Sequence, residues 1–117
     1  MSCMFYVALR FDRDIGAWDT SSVTTMSAMF SCPAYVSREF NQDIGAWDTS
    51  SVADMSFMFG GCEVFEQDLR RWNTSALTRR GCCRRMFHRC PLGRTDRIEL
   101  RPIFLFPDVL DSEFHDY

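Results

Sequence analysis

Apolar and polar residues follow a repeated order along the first two thirds of the chain. The ten residues 14–23 recur without one change as residues 43–52, and a looser copy begins at Phe65. Self-similarity at a period of about 25 residues is typical of repeat architectures, in which each unit is one supersecondary element. The sequence therefore predicts a chain built from repeated units.

The repeat divides the chain into five segments. A partial N-terminal unit covers residues 1–10, and two whole units cover 11–39 and 40–64. A degenerate unit covers 65–90, and an irregular tail covers 91–117. Since the first segment begins in the middle of a unit, we expect the chain to be a fragment or to derive from a truncated gene model.

The second half of each unit has the apolar spacing of a short helix. Val52, Met55, Met58 and Phe59 are spaced i, i+3, i+6 and i+7, which places them on one helical face. The pair in Ser51-x-x-Asp54 matches a helix-capping pattern, in which both side chains bind free N–H groups of the first turn. The same apolar spacing occurs in the preceding unit.

The first half of each unit predicts a short strand or turn. Ile44, Ala46 and Trp47 precede Asp48-Thr49, which is typical of a strand followed by an Asx or Ser/Thr turn. The predicted fold class is α/β, a short leucine-rich-repeat-like solenoid with an irregular C-terminal tail. Stacked units would share one core. Its predicted members are Ile15, Trp18, Val23, Met26, Met29, Phe30, Phe40, Ile44, Trp47, Val52, Met55, Met58, Phe59, Phe65, Leu69 and Trp72.

The repeat pattern is lost after Leu77. Residues 78–85 replace the expected Met and Phe, and Met86-Phe87 arrive late. A reading-frame error or an unspliced intron near residues 77–80 would explain this loss, and sequencing of the transcript tests that hypothesis.

The composition is that of a globular domain, with 46% hydrophobic and 25% charged residues. No apolar run reaches the roughly 18 residues of a membrane helix, so no membrane span is expected. The N-terminus lacks a basic region ahead of its apolar residues, so no signal peptide is expected.

Charge is distributed unevenly along the chain. Residues 1–69 carry a net charge of −7, residues 70–101 carry +8, and residues 102–117 carry −4. The ten arginines of residues 70–101 could bind RNA through phosphate contacts and stacking on nearby aromatic rings. No RNA-binding motif is present. Nucleic-acid binding through this segment is therefore kept as the alternative function.

Acidic residues recur in register, as at Asp14, Asp43 and Asp68. Calcium binding is one interpretation, since this ion takes several oxygen ligands. Capping of turns by short carboxylate side chains is the preferred interpretation, because the spacing lacks the dense Asp/Gly pattern of calcium-binding repeats.

The six cysteines are expected to be scattered small hydrophobic residues rather than a disulfide framework. Cys82, Cys83, His88 and Cys90 do not have the usual spacing of zinc ligands. Asn73-Thr-Ser75 is a glycosylation sequon, but a turn explains it better. No nucleophile, base or cluster of metal ligands has the spacing of a known type of site. We therefore expect no catalysis, no bound metal and no cofactor.

Residues 40–59 closely resemble the repeat of BspA-like leucine-rich-repeat surface proteins. The resemblance covers residues 1–77 and rests on the signature F-x-x-D-I/L-x-x-W-D/N-T-S. It implies a right-handed β/α solenoid at the cell surface or secreted, used for adhesion or binding to a protein partner without catalysis. On that basis, the expected interaction surface consists of exposed positions in the strand and turn region, namely Asp19, Thr20, Asp48, Thr49, Asn73 and Thr74.

Overall fold

Turns, rather than helices and strands, make up most of the structure, a computed structural model that describes residues 1–5, 10–32 and 39–104. Its helical segments within those ranges are two 3-10 helices, Pro91–Gly93 and Thr95–Leu100. One isolated parallel bridge joins Thr25 to Asp54. No helix among the described residues is long and apolar enough to cross a membrane. Parts of the predicted units and of the tail lie outside these ranges.

The predicted α/β solenoid of short strands and helices is wrong. In place of the predicted helix, residues 55–58 form a turn, in which the N–H of Met58 donates to the carbonyl of Met55 at 3.2 Å. Phe57 has a φ of 58°, and this left-handed conformation prevents a right-handed helix from continuing. Asp54 accepts hydrogen bonds from the backbone and hydroxyl of Ser56 instead of capping a helix.

The same turn recurs in all four units. Its third residue has a positive φ each time, at Cys3, Ala28, Phe57 and Arg85, with values between 51° and 58°. A backbone hydrogen bond of 3.1–3.3 Å closes each turn one residue later. Because Arg85 takes part, the degenerate unit returns to the repeated conformation after its irregular stretch.

Backbone hydrogen bonds join each unit to the next. N–H groups of alternate residues from Met26 to Cys32 donate to carbonyl groups of the second unit, and those from Met55 to Gly61 donate to the third unit. These bonds are 2.7–2.9 Å long. They run from each unit to the next, while the N–H of Ala53 donates back to the carbonyl of Thr24 at 2.8 Å. The units therefore lie side by side in chain order, and the backbone groups of the turns are satisfied between units.

Three columns of aromatic rings cross the units and form the centre of the core. Neighbouring rings in a column have centroids 5.6–6.5 Å apart and planes within 15° of parallel, which is the offset stacking that aromatic pairs favour. The columns are Phe5, Phe30, Phe59 and Phe87; Phe11, Phe40 and Phe65; and Trp18, Trp47 and Trp72.

Fourteen of the sixteen residues expected in the core are buried, while Val23 is partly buried and Trp18 is 36% exposed. The core also extends into the degenerate unit and beyond it. These additional buried residues are Leu77, Cys82, Cys83, Met86, Phe87, Cys90 and Leu92.

The beginning of the tail covers the third unit. Leu92, in the first 3-10 helix, is fully buried. The N–H of Leu69 donates to the carbonyl of Leu100 at 2.8 Å, and the hydroxyl of Thr74 donates to that of Ile103 at 2.8 Å. This segment therefore accepts the hydrogen bonds of polar groups in the third unit, as a further repeated unit would otherwise do.

Two tryptophans tie their units to the preceding ones. Nε1 of Trp47 donates to the carbonyl of Ile15, and Nε1 of Trp72 donates to that of Ile44, both at 2.9 Å. Each of these two side chains is only 3% exposed. Trp18 occupies the same place in the first unit, and its Nε1 has no partner among the described residues.

Replacing Trp47 with Phe should destabilise the protein more than replacing Trp18 with Phe. Trp47→Phe keeps an aromatic ring in the column but removes the buried bond from the indole N–H to the carbonyl of Ile15, a loss of about 0.5–1.5 kcal/mol. That carbonyl keeps the backbone N–H of Trp18 at 3.1 Å, and the smaller ring leaves unfilled space in the core, which adds to the cost. Trp18→Phe removes no such bond, and its expected cost is below about 1 kcal/mol. Urea unfolding of both variants measures the difference, and equal losses would contradict this role of the indole N–H.

Glycine is required where the backbone of the next unit comes close. A Cβ on Gly16 would lie 2.7 Å from the carbonyl oxygen of Asp43, and one on Gly45 would lie 2.6 Å from that of Asp68. The third unit has Arg70 at the equivalent position. The sequence Ile-Gly is therefore a packing requirement between repeated units.

Gly45→Ala should destabilise the protein by about 1–3 kcal/mol, the usual effect of overpacking against backbone that cannot move away. Arg70→Ala is the matched control at the equivalent position. It removes only an exposed ion pair with Asp68, which contributes little to stability because solvent screens it. Thermal or urea unfolding of the two variants distinguishes these effects. A neutral Gly45→Ala variant would show that the units can separate locally.

Candidate interaction surface

A row of polar turns runs along one edge of the units, formed by residues 19–22, 48–51 and 73–76, and is called the turn ridge. Asp19, Asp48 and Asn73 are its exposed first residues. The Oδ1 atoms of Asp19 and Asp48 each accept a backbone N–H at 3.0 Å and a serine hydroxyl at 2.6 Å, both from the residue two positions later. Each turn is therefore fixed by its own side chains.

Asn73 shows that an amide can hold the same turn. Its Oδ1 accepts the backbone N–H of Ser75 at 2.9 Å, as the carboxylate oxygens do in the other two units. The sequon Asn73-Thr-Ser75 is thus part of the repeated turn.

The threonines of the ridge are not at the surface. Thr20, Thr49 and Thr74 were expected to be exposed, and that expectation is wrong, since they are between 0% and 2% exposed. Each hydroxyl donates to a backbone carbonyl of the following unit or of the tail at 2.8–2.9 Å. Burial of a hydroxyl requires such a partner. The threonines therefore connect the units. Of the six residues expected at the surface, the exposed ones are Asp19, Asp48 and Asn73.

The two carboxylates of the ridge are held in the charged form. The hydroxyl of Ser21, followed by its backbone N–H, lowers the pKa of Asp19, and Ser50 lowers the pKa of Asp48 in the same way. Burial and the negative charge of Asp19 act weakly in the opposite direction on the pKa of Asp48. Two adjacent turns therefore present negative charge at neutral pH, and the third presents a neutral amide.

The second acidic register caps turns as well. Oδ1 of Asp14, Asp43 and Asp68 each accepts the backbone N–H two residues later at 2.9–3.0 Å. These bonds agree with turn capping rather than calcium binding. Within residues 1–5, 10–32 and 39–104, no group of three or more His, Cys, Asp or Glu side chains is placed to hold a metal ion.

All six cysteines are free thiols, and five of them are buried, as expected for small hydrophobic residues. Burial raises the pKa of Cys90 to about 12. The sulfur atoms of Cys82 and Cys83 lie 3.7 Å apart.

Several arginines of residues 70–101 are already engaged within the fold. Arg70, Arg89 and Arg97 form ion pairs with carboxylates of residues 63–68 at 2.6–3.7 Å. Arg101 is buried and donates to backbone carbonyls, and burial lowers its pKa. The positive surface of this segment is therefore smaller than its sequence charge suggests.

Comparison with known proteins identifies a family for most of the chain. The family model described as "Mycoplasma protein of unknown function, DUF285" matches residues 1–96. The match crosses residues 77–80 and includes the whole degenerate unit. No curated protein and no solved structure matches the chain.

Ser50→Ala should raise the pKa of Asp48, because the hydroxyl that stabilises its carboxylate is removed. Ser51→Ala, at the next exposed serine, is the matched control and should leave that pKa unchanged. NMR titration of the Asp48 carboxyl carbon measures both, and an unchanged value in Ser50→Ala would contradict the assignment.

The same bonds make the fold sensitive to acid. The folded-state pKa of Asp48 is depressed below its value of about 3.8 in the unfolded chain. The contribution to stability is therefore present above that value and is lost as the pH falls through the folded-state pKa. Ser50→Ala should weaken this dependence.

Proposed function

Because the chain belongs to the DUF285 family, a repeat family of unknown function that is associated with surface proteins and related to BspA-like families, we propose that it binds a protein partner through its turn ridge, without catalysis. Adhesion is the form of binding that the resemblance to BspA-like repeats favours. The observation that carries the proposal is the register of three equivalent turns, with Asp19, Asp48 and Asn73 exposed at the same position of each.

The ridge is suited to binding because its shape is fixed before a partner arrives. Each carboxylate accepts two local hydrogen bonds, and each buried threonine anchors the turn to the following segment. Preorganised groups lose little conformational freedom on association, so more of the interaction energy contributes to affinity. A repeated, rigid and polar edge supports recognition of another protein.

The charge of the ridge indicates the chemistry of the partner. Asp19 and Asp48 are ionised, and Asn73 adds an amide that can both donate and accept. Complementary charge steers association and sets specificity. We therefore infer a partner surface with arginine or lysine side chains spaced to meet successive turns.

Changing Asp19 and Asp48 together to Asn tests this function without disturbing the turns, since Asn73 holds the same turn in the third unit. The control changes Glu39 and Glu99, which are exposed elsewhere, to Gln, so that both variants lose two negative charges. Surface plasmon resonance against purified extracellular-matrix proteins should show saturable binding by the parent and the control. The ridge variant should bind about threefold to tenfold more weakly, with a reduced dependence on salt.

Two results would refute the proposal. One is binding by the ridge variant that equals binding by the parent. The other is parent binding no stronger than that of a chain with scrambled repeats, across the whole set of matrix proteins.

A further inference from the structure

A loop that only the third unit possesses creates a small cavity. In the second unit Met55 follows Val52 by three positions, whereas in the third unit Cys83 follows Leu77 by six positions. Val52 and Leu77 end the same threonine turn, and Met55 and Cys83 begin the same methionine turn, so the two segments are equivalent. The three extra residues lie in residues 78–82, called the arginine loop.

The cavity lies between the arginine loop and the second unit. Its volume is about 180 Å³, below the roughly 300 Å³ at which pockets for drug-sized ligands begin, so it fits one small chemical group. Gly81 has a φ of 83°, and a Cβ there would meet nothing within 4 Å, which leaves space on that side. The lining residues are Ala53, Asp54, Arg79, Arg80, Gly81 and Cys82.

Two guanidinium groups at this cavity differ from several other arginines of residues 70–101. Arg70, Arg89 and Arg97 each have a carboxylate partner. The side chains of Arg79 and Arg80 are exposed, and neither guanidinium group has a hydrogen-bond or ion-pair partner in the part of the chain that the structure describes. Both positively charged groups line the same cavity, so an anion bound between them would be stabilised.

Asp54 is the one acidic group that lines the cavity, and its Oδ1 is already occupied. That atom accepts the backbone N–H of Ser56 at 2.9 Å and the hydroxyl of Ser56 at 2.7 Å. With two guanidinium groups and one carboxylate, the charge at the cavity is positive. A cation is therefore disfavoured there.

We propose that this cavity binds a small tetrahedral oxyanion, a phosphate or sulfate group, between Arg79 and Arg80. Each guanidinium presents a planar fork of N–H donors that pairs with two oxygens of one anion. A tetrahedral oxyanion has enough oxygens to engage both forks at once, whereas a carboxylate has only two. This site is separate from the turn ridge, and its function does not depend on protein binding there.

Isothermal titration of the full chain with inorganic phosphate at low ionic strength tests the site, and sulfate and acetate are titrated in parallel. The site variant is Arg79→Gln with Arg80→Gln. The control is Arg13→Gln with Arg71→Gln, two exposed arginines away from the cavity, so both variants lose two positive charges. Phosphate or sulfate should bind saturably, and the site variant should bind about tenfold or more weakly, because charged hydrogen bonds are lost. The control should retain the parent affinity.

The relative affinities for phosphate and sulfate identify which group the cavity binds. Tighter binding of phosphate than of sulfate assigns a phosphate group, and the reverse order assigns a sulfate group. Three results would each overturn the proposal. Acetate could bind as tightly as phosphate or sulfate, or neither phosphate nor sulfate could bind saturably. The control could also lose as much affinity as the site variant. Near-ultraviolet circular dichroism of the tryptophan column shows that the variants are folded.

Discussion

The close approach of consecutive backbones is the constraint on which the rest of the structure depends. Turns leave many N–H and carbonyl groups unpaired inside a unit, and burial of such groups is costly unless they find partners. Here the partners come from the neighbouring unit, through backbone bonds, indole N–H groups and threonine hydroxyls. Gly45 permits this approach, and the aromatic columns fill the space between the paired edges. A single unit could satisfy neither its polar groups nor its apolar face.

The sequence predicted which residues are buried better than how the backbone is arranged. Repetition alone placed Ile44, Trp47 and Met55 in the core, because identical residues at a fixed period occupy equivalent places. The helix prediction failed because the spacing of Val52, Met55 and Met58 also fits one closed turn whose side chains face inward. Hydrogen bonding of Asp54 to Ser56 and the positive φ of Phe57 decide between the two, and neither can be derived from apolar spacing.

At the surface, too, the residue types alone did not predict how the side chains are arranged. A threonine beside an aspartate in a turn predicted an exposed pair, yet Asp48 is exposed and Thr49 is buried. The difference arises because only the threonine hydroxyl reaches the next unit, which sequence alone does not reveal. The sequence did not reveal the arginine loop either, because the insertion resembled a reading-frame error. In the structure, Cys83 and Met86 occupy the positions of Met55 and Met58. The family match across this region agrees with continuous repeats.

In the two proposals, repetition and its interruption support different kinds of recognition in one chain. Equivalent turns present equivalent groups at regular spacing, which is suited to an extended partner that meets several units at once. Such a surface gains strength from the number of units and little from any single residue. The arginine loop is the opposite case, because an insertion in one unit leaves two unpaired charges beside one cavity. A binding site of that kind depends on individual side chains, so it can differ between repeat proteins whose cores are alike.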